Sequence, residues 1–229
     1  MKILTINASP KRITSASRYY LGLLNMQMLG CETKHIDLNH RSPEVYSEIF
    51  SHFNSIDALV IAFPVYVDGV PSHALRFMVE AEKFCKQNGC RFKLYVITNC
   101  GFYEARQCQN AINIMRSFCT AAGLEWGAAV GIGTGEMLGF ALRVFIPLFV
   151  FTKLIISLPI FLLQGDLMGG LAGYPWIGAL IPMSIYIVFS LGLFFSMWKM
   201  QRTIRHKKTI PDFYTRATLC PRFVFVIYG

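Results

Sequence analysis

The segment Asn7-Ala8-Ser9-Pro10-Lys11-Arg12-Ile13-Thr14-Ser15-Ala16-Ser17 sets three serines and two adjacent cations between the apolar run Ile3, Leu4, Ile6 and a helix-like stretch from Arg18 to Leu29. A buried strand that turns through small hydroxyl residues into a helix leaves backbone N–H groups without partners, and these suit an anion. Ser9, Ser15 and Ser17 can add hydroxyl donors, and Lys11 and Arg12 can balance a dianion that the helix dipole only partly offsets. Serines at a helix start also serve as plain N-caps, and on this loop alone that alternative stands.

Three further segments have the composition of working loops. Pro64–Gly69, Asn99–Glu104 and Gly131–Glu136 are rich in Gly, Pro, aromatic and polar residues, and each follows an apolar run. The runs Ala58–Phe63, Phe92–Thr98 and Trp126–Ile132 predict strands, with Thr33–Ile36 a shorter one. Ser47–Ser55, Ala74–Cys85 and Ala105–Ala122 show apolar residues at helical spacing. Strands that alternate with helices predict a parallel sheet covered on both faces, and ligands in such sheets sit beyond the carboxyl ends of the strands. The four loops belong at that end.

Other chemistries find little support. Gly131-Ile132-Gly133-Thr134-Gly135-Glu136 resembles a dinucleotide fingerprint only superficially, because no βαβ unit follows it and no acidic residue stands at the required distance. The seven cysteines are odd in number and lack C-x-x-C spacing, which disfavours a zinc site, a dithiol centre or a disulfide framework and predicts free thiols in a reducing compartment. No metal site and no Ser-His-Asp or paired-carboxylate arrangement is expected. His73, near the second loop, reads as a surface residue of the following helix.

These loops resemble those of the flavodoxin-like NAD(P)H-dependent FMN reductases. Asn7 to Ser17 looks like their G-S-P-R-x-x-x-S-x-T phosphate loop, with Ala8 at the Gly position and Lys11 at the Arg position. Pro64-Val65-Tyr66 resembles the P-x-Y loop that lies along the flavin ring, and Asn99-Cys100-Gly101-Phe102-Tyr103-Glu104 resembles the N-x-G-F-Y-E loop at the opposite ring edge. The resemblance covers residues 1 to about 137, with Pro221-Arg222-Phe223 similar to the family's closing P-R-F-L-Y segment.

It implies a flavodoxin-like doubly wound five-stranded parallel sheet, FMN as cofactor and NAD(P)H as co-substrate. The flavin would carry the chemistry, and electrons would pass to a quinone or similar small-molecule acceptor. The implied cofactor-binding residues are Ser9, Lys11, Arg12, Ser15, Ala16, Ser17, Pro64, Val65, Tyr66, Val67, Asn99, Cys100, Gly101, Phe102, Tyr103 and Glu104. A homo-oligomer is also implied. The rival reading is a non-enzymatic, membrane-anchored scaffold or sensor that keeps the fold without turnover, and Ala8 and Ala16 motivate it.

The second half of the chain departs from an ordinary soluble surface. Hydrophobic residues make up 54% of the sequence and charged ones only 15%, against roughly 25% charged in soluble domains. Residues 1–137 carry 13 Lys/Arg and 11 Asp/Glu, whereas residues 138–229 carry 9 and 2. Tyr174 to Trp198 is a run of 25 residues without a charge, long enough for a bilayer core of about 30 Å. Phe140 to Gln164 is nearly as apolar but includes Arg143 and Lys153.

The basic run Lys199, Arg202, Arg205, Lys207 and Lys208 follows directly, which favours a membrane flank over a nucleic-acid partner. The expected organisation is a flavodoxin-like domain over 1–137, a mostly helical apolar segment over 138–198 forming a transmembrane hairpin, and a basic cytoplasmic tail over 199–229. Localisation at the cell membrane with contact to membrane lipid follows from that reading, and the lack of a cleavable signal pattern at Met1–Thr5 predicts the first domain on the cytoplasmic side. The alternative for 138–198 is an insertion that packs as a hydrophobic dimer interface.

Overall fold

The computed structural model describes residues 1–11, 15–38, 43–135 and 191–217. The apolar runs become the interior strands. β1 (Lys2–Asn7), β3 (Ala58–Pro64), β4 (Lys93–Asn99) and β5 (Glu125–Gly133) are almost wholly buried, while β2 (Glu32–Asp37) is exposed over half its length. Burial on both faces removes the period-2 alternation of a half-solvated strand, so these runs read as continuous Val, Ile, Leu and Ala.

Four helices follow their strands: α1 (Ala16–Gln27), α2 (Pro43–Phe53), α3 (Ser72–Asn88) and α4 (Gln109–Ala121), the last preceded by a 3-10 turn, Ala105–Cys108. Local chemistry sets their ends. Ser15 caps α1 by accepting from Arg18 N at 3.1 Å, α2 begins on Pro43, whose missing N–H costs nothing there, and Gly89 closes α3 in the left-handed conformation at φ 61°.

The sheet has six strands in the order β2-β1-β3-β4-β5-β6, and every pairing is parallel. The five-stranded expectation is therefore corrected. The additional edge strand is β6 (Phe213–Arg216), which pairs Val130 with Phe213 and Gly133 with Arg216. A short strand with only partly buried residues carries no pattern that separates it from a loop. Its anchor is polar: Asp212 accepts from Ala129 N at 3.0 Å and Trp126 Nε1 at 3.1 Å and pairs with Arg116.

Residues 191–205 form a helix, α5, that packs on the sheet face already held by α1. Leu193, Met197, Met200 and Ile204 are buried in one cluster with Tyr20, Leu21, Leu24, Val60, Tyr95, Ile97 and Val130. The opposite face is covered by α2, α3 and α4, around Phe50, Phe53, Phe77, Phe84, Ile112 and Met115. The boundary expected at 198/199 thus runs through the middle of α5, and the described part of the expected basic tail is the end of a helix followed by a sheet strand. Side chains that are apolar on both the buried and the exposed side of α5 erased its helical period, so it merged with the uncharged run before it.

Phe140–Gln164, residues 174–190 and Pro221-Arg222-Phe223 lie outside the described residues; of the expected transmembrane hairpin only residues 191–198 are described, and they belong to α5, with Leu193 and Met197 buried against the sheet. Among the described residues no helix is long and apolar enough to cross a membrane.

Candidate functional site at the carboxyl ends of the strands

The order 2-1-3-4-5 reverses between β1 and β3, and a parallel doubly wound sheet opens its ligand crevice at the carboxyl side of that switch point. The loops after β1, β3, β4 and β5 all emerge there, and hydrogen bonds tie them together. Ser17 Oγ donates to Asn99 Oδ1 at 3.0 Å, joining the first loop to the third across 82 residues of sequence. Cys100 N donates to Ile132 O, Thr134 N to Phe102 O and Gly135 N to Cys100 O, which lays the third loop on the end of β5.

Glycine is required at this contact. A Cβ on Gly133 would stand 2.7 Å from Tyr103 O and 3.0 Å from Ala105 N, both backbone atoms that no side-chain rotation can move aside.

In the first loop, Ser9 is buried and its Oγ accepts from Lys11 N at 3.3 Å, while Lys11 is exposed. Ala8 N is spent on Ala62 O at 2.7 Å. Arg12 lies outside the described residues. Ser15 caps α1, and neither its Oγ bond to Arg18 N nor its carbonyl bond to Tyr19 N uses the N–H groups of Ala16 and Ser17. The first turn of α1 holds no acidic residue, so the positive end of its dipole is not offset within the helix. Ser17 is buried and its hydroxyl joins the loops, a role in which it orients Asn99.

In the second loop Pro64 and Val65 are buried, whereas Tyr66 is 41% exposed and Val67 fully so. Tyr66 and Gly69 exchange backbone hydrogen bonds at 3.2 and 3.1 Å, closing a two-residue turn. Both central residues have positive φ, 49° at Val67 and 56° at Asp68. A β-branched residue in the left-handed region is strained, and strain of this kind clusters at ligand-contacting loops.

In the third loop Asn99 and Cys100 are buried, Gly101 and Tyr103 half-buried, Phe102 and Glu104 exposed. The Cys108 thiol, held against Cys100, draws the Cys100 thiol below its usual range while burial opposes the shift. Cys108 is pushed up by the same contact and by burial. The six cysteines among the described residues are free thiols, and among those residues no cluster could hold a metal. His73 is 7% exposed, against the surface position expected of it, and lies with Ala74, Phe77 and Met78 among the buried residues of α3.

Two contributors to this end of the sheet escaped the sequence reading. Arg216, at the end of β6, stacks its guanidinium on the Tyr103 ring at 4.0 Å and donates Nε–H to Tyr103 O at 3.2 Å. Asp37, at the end of β2, accepts from Asn7 Nδ2 at 2.8 Å and pairs with Arg18 at 3.4 Å. Neither had a local signal, since each acts on residues far away in sequence that only the topology brings near.

The donor set fits a phosphorylated aromatic cofactor. It offers a helix N-terminus with an exposed lysine at the first strand, and half-exposed aromatic rings, Tyr66 and Phe102, at the next two.

No family model matches the chain, and no curated protein matches it. Among solved structures it is similar to the Trp repressor binding protein from Bacillus subtilis, at 18% identity and a TM-score of 0.48 over 56% of this chain and 85% of that one. It is also similar to FerB, a flavoenzyme NAD(P)H:(acceptor) oxidoreductase from Paracoccus denitrificans, at 15% identity and 0.47 over 55% and 75%. A third is the NADH:FMN oxidoreductase EMOB in its apo form, at 14% identity and 0.46 over 58% and 75%. At such identities and scores these likenesses carry no argument about activity. The strand order itself makes the described chain a flavodoxin-like doubly wound α/β fold.

Proposed function

We propose that the chain is an FMN-dependent oxidoreductase that takes reducing equivalents from NAD(P)H and delivers them to a quinone or a similar small acceptor. The observation that carries this reading is the tie between the first and third loops at the switch point, Ser17 to Asn99. It brings together two segments whose residue types suit the two ends of one cofactor.

FMN, when bound, supplies hydride acceptance and electron release. The chain's own part is to bind and orient. The N–H groups at the start of α1 and the Lys11 ammonium hold a phosphate, and the exposed Tyr66 ring covers a flat apolar surface. Backbone N–H groups of the third loop suit the charge that builds up on reduction. Arg216 adds a fixed cation behind Tyr103.

The uncharged residues 174–190 that precede α5 favour a lipid-soluble acceptor and a place at the cell membrane, with the flavodoxin-like part on the cytoplasmic side. The test is the visible spectrum of the purified full chain after addition of FMN, followed by NAD(P)H oxidation with a quinone. Bound flavin with quinone-dependent turnover is expected. No flavin absorbance after reconstitution refutes the reading, and bound flavin without turnover favours a scaffold or sensor.

A further inference from the structure

α5 buries one side in the sheet core and turns an apolar stripe outward. Leu191, Phe194, Phe195 and Trp198, spaced three, four and seven residues apart, are 41–57% exposed. Four large apolar side chains in a row on an otherwise packed helix form a contiguous patch rather than scattered exposure.

Beyond Trp198 the same face becomes cationic. Arg202 stacks over the Trp198 ring at 4.9 Å and Lys199 over the Phe213 ring at 4.4 Å. With Phe195, Trp198 and Lys208 they line an open cavity of about 600 Å³ whose walls include no carboxylate.

Two of the five cations of the basic run bond within the fold. Lys207 takes Asp57 at 2.7 Å and Arg205 takes Leu29 O at 2.6 Å, at the amino ends of the strands. Lys199, Arg202 and Lys208 make no ion pair with a carboxylate among the described residues. Between Glu136 and Asp212 the sequence holds a single acidic residue, Asp166.

We propose that the outer face of α5 is a docking surface for an anionic phospholipid bilayer. The helix lies along the interface, with Phe194, Phe195 and Trp198 entering at headgroup depth and Lys199, Arg202 and Lys208 holding lipid phosphates. Charge complementarity selects this occupant. An aromatic row that grades into cations with no carboxylate partner among the described residues matches the headgroup boundary, where indole and phenyl rings settle and basic side chains meet anionic lipid. A second copy of the chain would bring the same positive charge to the contact. The surface does not depend on the flavin reading, because none of its residues belongs to the strand-end loops.

The test is co-flotation of the full chain with vesicles of phosphatidylcholine alone, or with about a third phosphatidylglycerol. Expected is preferential flotation with the anionic vesicles, reversed by molar salt. Replacing Lys199, Arg202 and Lys208 together by Gln weakens that binding roughly 100-fold, about fivefold for each cation. The wild-type salt response tests the proposal even where the variant fails to fold. Equal flotation with both vesicle types, insensitivity to salt, or unchanged binding by a folded variant overturns it. So does self-association without flotation, which would make this face an interface between copies. The FMN spectrum, read on the same samples, separates failure of this proposal from failure of the flavin assignment.

Discussion

Replacing Asp212 by Ala tests how the last strand is held and whether that strand serves the candidate site. The Asp212 side chain is 7% exposed, and its carboxylate accepts from Ala129 N at 3.0 Å and Trp126 Nε1 at 3.1 Å while pairing with Arg116, which is half exposed. The Arg116 pair adds little, since an exposed guanidinium is readily rehydrated. The two N–H donors matter more. Each loses a charged acceptor, at roughly 1.5–3 kcal/mol apiece, so Asp212→Ala should cost about 3–6 kcal/mol in all.

Asp212→Asn retains an oxygen acceptor and should cost roughly half as much. The assay is urea denaturation read by tryptophan fluorescence, paired with amide hydrogen exchange of residues 213–216. Those amides should lose protection first, because among the described residues β6 is an edge strand paired with β5. Since β6 ends in Arg216, FMN affinity should fall with them. A loss below about 1 kcal/mol, or full protection of β6 in the Ala variant, would falsify the claim that this carboxylate anchors the strand.

Three further outcomes are expected. Arg216→Met removes the stacking on Tyr103 and the bond to its carbonyl; FMN binding, followed by flavin fluorescence quenching, should weaken about five- to thirtyfold, for a loss of about 1–2 kcal/mol. Gly133→Ala places a Cβ against Tyr103 O, so it should destabilise by about 1–3 kcal/mol and shift the amide signals of Phe102 to Ala105, with Gly127-to-Tyr95 packing as the undisturbed reference. Tyr95 is pushed up to about 12 by burial from an ordinary 10.0 and donates its hydroxyl to Lys208 O at 3.2 Å. Because its folded value is the higher one, its contribution is intact below pH 10 and is lost as pH rises toward 12. Tyr95→Phe should therefore flatten the decline of stability across that window, measured by denaturation at stepped pH.

Much of the scaffold was legible in local pattern. Ala58–Phe63 and Phe92–Thr98 carry enough continuous apolar character to mark buried strands, and the structure extends them only to Pro64 and Asn99. Loop chemistry was legible as well, since hydroxyls before a helix and a Pro-Val-Tyr turn after a strand announce themselves by residue type. What escaped reading were the parts whose partners lie far away in sequence. Phe213–Arg216 becomes a strand because Asp212 reaches Ala129. Residues 191–198 looked like the end of an uncharged run because their second, outward face is apolar too.

The sequence by itself determined that β-strands alternate with helices, that the loops after the strands are polar and small, and that charge deserts the second half of the chain. These are properties of residue type and short-range period. The tertiary structure alone decided that Ser17 meets Asn99, that Arg216 stacks on Tyr103, and that α5 shares the face of α1. Each of those contacts spans more than 80 residues, and a parallel sheet creates such neighbours through its strand order, which no local pattern encodes.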